Sequence, residues 1–440
     1  MKEKKSRSRQ KRNAADLEKR KSSFAKGLSN LDLEIHGVRL PKFDIQPEYL
    51  ELIDNPEKVK NTYDFLIALC QKGFKKLNIK RGTAEHKKYT DRIYYELEIL
   101  KELGFVDYIL LVWKVIHYCN TSDIPIGLGR GSAAGSFVLY LLGVTKIDSV
   151  KYDLFFERFV SKIRAKKKVI KGVTYLDGSL MCDVDMDVCY YKRKQVLKYL
   201  EEEFEGKTCK IRTLNTLSGK LVMKECGKTV EDKSETEMNH VSAMIPKVFG
   251  QVKDISEAYD EVDEFKNWCD NNPRTFETAQ KIKGLVKNKG VHPSAILLSY
   301  DDIVKSCPIE LDSDKEKISA YNMDWSQMFN VKLDVLGLRT VSVVDQACKF
   351  IGINVEDIDL DHESIYQNLY DLKQPHGIFQ VEARANYEVC KKVKPKNLEE
   401  LSAVLALARP GAMQFTDQYA NYTNNDTYEV IHPYFDDILG

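Results

Sequence analysis

Leu180-Met181-Cys182-Asp183-Val184-Asp185-Met186-Asp187-Val188 decides how this chain reads. From Asp183 onward carboxylates alternate with apolar residues, the period of a strand with one buried face. Residues two apart on a strand share a face at roughly 7 Å, so Asp183 and Asp185 can reach one small cation. Side-by-side like charges are destabilising unless a cation neutralises them, and carboxylate oxygens are natural Mg²⁺ ligands. A solvated acidic strand edge would show the same alternation, so the segment takes its meaning from its surroundings.

Downstream, Lys192 to Phe204 has the spacing of an amphipathic helix. Upstream, Ile124-Pro125-Ile126-Gly127 reads as a short strand entering Gly127-Leu128-Gly129-Arg130-Gly131-Ser132-Ala133-Ala134-Gly135-Ser136. Phe137, Leu141 and Leu142 follow at helical spacing. A glycine turn feeding a helix N-terminus offers backbone N–H groups and a positive dipole end to a phosphate. Ser132 is placed to cap that helix or donate to the phosphate. The turn is neither a Walker loop nor a dinucleotide fingerprint. Glycine-serine before a helix, then D-x-D on a strand, then a later aspartate is the nucleotidyltransferase arrangement. The third carboxylate is Asp334, in Lys332-Leu333-Asp334-Val335-Leu336-Gly337, or Asp187, which shares a face with Asp183 and Asp185.

The rest of the chain frames this centre. Its 440 residues suffice for about three domains, and 43% hydrophobic with 30% charged residues is a globular composition. No apolar run is long enough to span a bilayer, and none follows the basic N-terminus as in a secretory signal. Ten scattered cysteines without a C-x-x-C pair predict reduced thiols in a cytoplasmic protein. Net charge is +1, but the first 21 residues hold ten Lys/Arg against three Asp/Glu, leaving a slightly acidic body. That argues against a protein that merely coats nucleic acid. Basic clusters at Lys162–Lys171, Lys281–Lys289 and Lys391–Lys396 read as solvated faces.

Residues 57–77 and 89–119 have apolar residues at helical spacing, Tyr95, Leu97, Leu100 and Leu103 for example. Residues 206–282 read as a charged, mostly helical block inserted between two halves of a sheet domain. Val291 to Tyr300 and Asn330 to Val335 have strand character and complete that sheet. After Gly337 the pattern turns helical again, broken at Pro375-His376-Gly377.

These residues resemble the C-family bacterial replicative polymerases, the alpha subunit of DNA polymerase III, over roughly residues 40–440. Gly104-Phe105 to Trp113 is similar to the family's "GF..Y.L.VW" helix, and Gly129 to Ser136 matches its glycine-serine motif. Leu141 to Thr145, Phe155 to Phe159, Gly290-Val291-His292, Lys332 to Thr340, Gly377 to Glu382 and Arg409-Pro410-Gly411 follow in the family's order. The resemblance implies an α/β fold, a polymerase-beta-like nucleotidyltransferase palm with an inserted helical thumb and the start of helical fingers. It divides the chain into a basic disordered tail (1–23), an N-terminal helical part (24–120), palm (121–205 and 283–336), thumb (206–282) and fingers (337–440). It makes Asp183, Asp185 and Asp334 the catalytic, metal-holding carboxylates and demotes Asp187. It places Gly131, Ser132, Arg158 and Lys332 on the incoming triphosphate and Lys220 near DNA.

Departures accompany the match. Cys182 replaces a proline, Val188 a phenylalanine and Ala412 a proline, and about fifteen residues, Lys166 to Leu180, look inserted before the acidic strand. The family's N-terminal phosphoesterase-like domain has no counterpart, so neither proofreading nor pyrophosphatase activity is expected. The chain stops early in the fingers, like the N-terminal piece of a split polymerase, as in some phages, or one ended at an intein junction.

The function expected is template-directed addition of deoxynucleotides to a primer 3′ end. Two Mg²⁺ about 3.5–4 Å apart would sit on the three aspartates, with Mn²⁺ suited to the same oxygens. The partners expected are primer–template DNA, deoxynucleoside triphosphates and a C-terminal polypeptide completing the fingers, with a sliding clamp reached through it. Membranes are not among them. The competing readings are a template-independent nucleotidyltransferase and a non-catalytic DNA-binding module.

Overall fold

The computed structural model describes residues 36–425 apart from 164, 179, 180, 249, 250, 313, 368 and 410. The tail expected at 1–23 lies outside the described residues, as does Pro410 of the Arg409-Pro410-Gly411 motif.

Three helices come first: α1 (Thr62–Lys76), α2 (Ala84–Leu103) and α3 (Val106–Thr121). The Asn61 side chain accepts the Asp64 N–H at 3.0 Å to start α1, and Thr83 accepts the His86 N–H at 3.1 Å to start α2. Gly104, left-handed at φ +81°, ends α2 and lets the chain turn at once into α3. From Tyr108 to Ile116 every residue of α3 is buried, so the helix runs inside the core rather than over it. Trp113 meets Phe65 and Tyr49 edge-on with centroids 5.6 and 5.2 Å away. Lys114, itself buried, forms an ion pair with Glu203.

Next come a separate hairpin, β1 (Lys167–Ile170) with β2 (Val173–Leu176), and then the strands of the main sheet. These are β3 (Asp185–Cys189), β4 (Thr208–Thr216), β5 (Val286–Leu298), β6 (Ile309–Leu311), β7 (Lys317–Asn322) and β8 (Val331–Leu338). Their spatial order is β3-β8-β5-β4-β7-β6. The β3–β8 and β4–β7 pairs are parallel and the others antiparallel, so the sheet is mixed. Val184, Met186, Val188, Ile296, Leu298, Val331, Leu333 and Val335 enter the core that α1–α3 build. By the alternation of strands, Asp185, Asp187, Lys332 and Asp334 stand on the opposite side. Full burial of such aliphatic side chains contributes roughly 1.5–3 kcal/mol each, and this burial holds the acidic strand in place.

A short helix, α4 (Phe137–Leu141), follows the glycine turn, and α5 (Arg193–Glu203) follows β3. The Arg193 guanidinium donates to the Val335 carbonyl at 2.6 Å and the Ser294 carbonyl at 3.2 Å, pinning α5 to β8 and β5. Between β4 and β5 lies a run of helices beginning with α6 (Gly219–Val230), packed around its own core of Val222, Met223, Met238 and Phe265. After β8, α7 (Arg339–Ile351) leads to further short helices around Tyr387, Cys390, Val393 and Val404. All ten cysteines are buried and free, and no described helix is long and apolar enough to cross a membrane.

Three expectations need correction. Thr208–Thr216, within the stretch read as helical, is a strand at the middle of the sheet. Within it Cys209 and Ile211, two residues apart, enter one small core, an alternation that the charge of the surrounding block obscured. Ile124–Ile126 forms no strand, only one bridge between Ile126 and Val188, because the chain turns away into the glycines. The helix after those glycines is capped by Ser136, whose Oγ accepts the Leu139 N–H at 3.2 Å. Ser132 sits earlier, in a 3-10 turn over Gly131–Gly135.

Candidate active site

Parallel pairing builds the acidic centre. Asp334 on β8 is the register partner of Asp185 on β3, and Asp183 lies two residues before Asp185 on the same side. One carboxylate oxygen from each of the three lies within 4.8 Å of the others. Asp183 is exposed, Asp185 half-buried and Asp334 buried at 5%, so the cluster opens from the sheet toward solvent. Asp187 is not part of it. Its Oδ1 is buried without a hydrogen-bond partner, and the Arg130 guanidinium stands 3.7 Å away.

Lys332, on the same side of β8, supplies positive charge to the cluster. Its Nζ lies 2.9 Å from Asp334 Oδ2 and 3.2 Å from Asp183 Oδ2. Burial alone would lower the pKa of this amine, but the two carboxylates raise it, so the charge stays on. Burial raises Asp183 and Asp185 above the usual carboxylate range. Lys332 draws Asp183 back, and the charge of Asp334 pushes both up further. Asp187 is pushed up to about 6, mainly by burial and against the pull of Arg130. Three hard carboxylate donors converging on one small space suit Mg²⁺, and an ammonium already drawn between two of them shows that this space favours a cation.

The glycine turn lies directly over these carboxylates. The Gly127 N–H donates to the Asp187 carbonyl at 2.8 Å, and a side chain at Gly127 would strike Asp187 Cβ at 2.7 Å. At Gly131, left-handed with φ +62°, a Cβ would sit 3.7 Å from Asp185 Oδ2. The turn therefore brings backbone N–H groups to within a few ångströms of the acidic centre.

Sequence reasoning missed what anchors the turn. Glu96 of α2, with no exposed surface, accepts from the Phe137 N–H at 2.9 Å, the Val138 N–H at 3.0 Å and the Ser136 hydroxyl at 2.8 Å. Arg92 donates to Glu96 at 2.6 Å and to the Gly135 and Leu154 carbonyls at 2.7 and 2.8 Å. The signal was an acidic residue on the buried stripe of a helix, with an arginine one turn before it. Arg130, 3.9 Å from Asp185 Oδ2, was also passed over.

Two further expected residues lie on other elements. Arg158 is exposed on the one-turn helix Phe156–Arg158, which follows directly from Phe155, whose carbonyl lies under Gly135. It makes no ion pair with the described carboxylates. Lys220 is in the first turn of α6, with its pKa lowered by burial and by Lys247 and Lys224. It belongs to a basic cluster on the helical insert, with no ion pair to the acidic centre.

A family model described as the bacterial DNA polymerase III alpha NTPase domain matches residues 64–337. The chain belongs to the bacterial DNA polymerase III alpha family. A second model, the finger domain of the bacterial DNA polymerase III alpha subunit, matches residues 340–440. A DNA polymerase III subunit alpha of Staphylococcus aureus is 30% identical over 422 residues, 93% of this chain and 36% of that protein. One from Aquifex aeolicus is 29% identical over 408 residues, 85% of this chain and 33% of that protein. The resemblance drawn from the motifs is borne out. The chain spans about a third of the length of these polymerase III alpha relatives.

Proposed function

We propose that this polymerase III alpha chain carries the palm and thumb of a DNA-directed DNA polymerase that extends a primer 3′ end. The observation that carries the reading is the convergence of Asp183, Asp185 and Asp334 beneath the Gly131 turn. The palm would comprise 121–205 and 283–336, the thumb 206–282 and the fingers the chain from 337. The three aspartates would hold two Mg²⁺ ions. When bound, these ions supply an acidified primer 3′-hydroxyl and neutralise charge on the leaving pyrophosphate.

The chain's own groups position the substrates. Gly131 and Ser132 donate backbone and hydroxyl hydrogen bonds to the triphosphate, and Arg158, free of ion pairs with the described carboxylates, offers its guanidinium fork. Lys332 is near enough to exchange a carboxylate for a phosphate oxygen. Lys220 contacts DNA from the thumb. Fixed donors of this kind contribute most to phosphoryl transfer, where positioning and charge neutralisation dominate.

We also infer that full activity draws on a partner polypeptide, through which a sliding clamp would be reached. Val343, Phe350, Ile351 and Ile353 lie exposed on and just beyond α7, and such an apolar strip fits an interface.

Primer extension with Mg²⁺ and four deoxynucleotides tests the reading, using the chain alone and then with lysate of its native host. Template-directed extension that Asp183→Ala or Asp185→Ala abolishes is the expected result. Substantial activity in either variant would refute the carboxylate roles, and extension without template would favour the template-independent reading. Full extension by the chain alone would refute the need for a partner.

A further inference from the structure

The β1–β2 hairpin lies within the segment read as inserted before the acidic strand, and no role above uses it. Backbone hydrogen bonds of 2.7 and 2.8 Å between Val38 and Leu176 fix its base, and Thr174 faces the end of α2, where a Cβ at Gly104 would lie 3.6 Å from its methyl group. Its connection is the two-residue turn Lys171-Gly172, with φ +49° and +79°. Turns with two positive φ values favour Asn or Asp followed by Gly, yet lysine occupies the first position here.

The charge on this hairpin has one sign. Lys166, Lys167, Lys168 and Lys171 are exposed, and no acidic residue occurs from 161 to 176. Lys167 donates to the Glu102 carbonyl, whereas Lys166, Lys168 and Lys171 form no ion pair with a described residue. Lysines without ion pairs along a two-stranded ribbon form a track for a polyanion. Leu176 is seven residues from Asp183, so the base of the hairpin lies within about 25 Å of the acidic centre. Adding strands of about 13 Å puts the tip within roughly eleven base pairs of a primer end, at about 3.4 Å per pair.

We propose that this hairpin is an additional nucleic-acid contact, gripping the sugar–phosphate backbone of the primer–template duplex behind the site of synthesis. The proposal rests on the polymerase reading, which supplies the duplex.

The test is binding of the full chain to a labelled 20-base-pair primer–template by fluorescence anisotropy, from 50 to 200 mM salt. It is compared with the triple variant Lys166→Gln, Lys168→Gln, Lys171→Asn, whose thermal unfolding is checked against wild type. Asparagine tolerates the left-handed position, and the other two sites are solvated. Each lost phosphate contact should flatten the plot of log affinity against log salt by about 0.9. With three contacts removed, the wild-type loss over this fourfold salt range should exceed that of the variant by about 40-fold. Tight wild-type binding with parallel slopes would overturn the hairpin proposal alone. A wild-type chain that does not bind the duplex would overturn both it and the polymerase reading.

Discussion

Replacing Glu96 with alanine should nearly unfold the protein, although the residue is remote from any substrate. Its carboxylate has no exposed surface and accepts four hydrogen bonds, from Arg92, Ser136, Phe137 and Val138. Truncation orphans two buried N–H groups at the start of α4, each costing about 1–3 kcal/mol. It also leaves the Arg92 guanidinium, 20% exposed, without its counter-charge, and breaking a buried ion pair costs about 3–5 kcal/mol. These effects overlap, so the expected loss is about 4–6 kcal/mol, most of the stability a protein of this kind has at the lower end of about 5–15 kcal/mol. The Phe137 and Val138 N–H groups bond different oxygens of Glu96, so Glu96→Gln keeps an acceptor for one, orphans the other and should lose about 1–3 kcal/mol. Urea denaturation followed by far-UV circular dichroism measures both, read as a fall in midpoint at constant slope. A Glu96→Ala chain within 1 kcal/mol of wild type would refute the claim that this carboxylate anchors the glycine turn.

Two further predictions concern charge at the acidic centre. Lys332→Met removes the ammonium 2.9 and 3.2 Å from Asp334 and Asp183 and should destabilise the metal-free chain by about 1–3 kcal/mol. Added Mg²⁺ should then raise its melting temperature more than it raises that of wild type, and a smaller rise would contradict the counter-charge role. Burial holds Asp187 at about 6 against an ordinary 3.8, so the folded state keeps a proton that the unfolded state releases between about pH 4 and 6. Stability present below pH 4 is therefore lost as pH rises through 6. Asp187→Asn should abolish this loss, gaining on wild type by a fraction of the about 3 kcal/mol that the full shift represents, since solvent screens a partly exposed carboxyl. Metal-free melts at pH 4.5 and 7 check it, and a constant difference would rule out the titration.

Much of the site was legible because short-range periodicity reports it directly. Alternation around Asp183 and Asp185 placed both carboxylates on one side, and the motif around Asp334 marked the strand that meets them. The ladder contact between Asp334 and Asp185 cannot be read from spacing, because pairing across so long a separation depends on which hydrophobic faces find each other. The resemblance favoured Asp334 over Asp187; in the structure Asp334 clusters with Asp183 and Asp185, and Asp187 lies beneath the glycine turn. Thr208–Thr216 was hidden because charged neighbours dominated its window. Ser136 rather than Ser132 caps α4 because the five residues from Gly131 form a 3-10 turn of their own. Glu96 escaped notice for a related reason. An acidic side chain in a polar, charged helix looks solvated until a second segment folds over it.

The parallel pairing of β3 with β8 also determines when the cation site can exist. Lys332 and Asp183 are 149 residues apart, and the helical run after β4 lies between them. At about 5–20 residues per second, a ribosome needs on the order of ten seconds to travel from the first aspartates to the last. During that interval Asp183 and Asp185 have neither Asp334 nor Lys332 beside them, and β3 lacks its one partner strand in the sheet. Contacts closed over so long a loop form late. Mg²⁺ affinity during synthesis should therefore rise in one step, once β8 has emerged, and would serve as a clock for completion of the sheet.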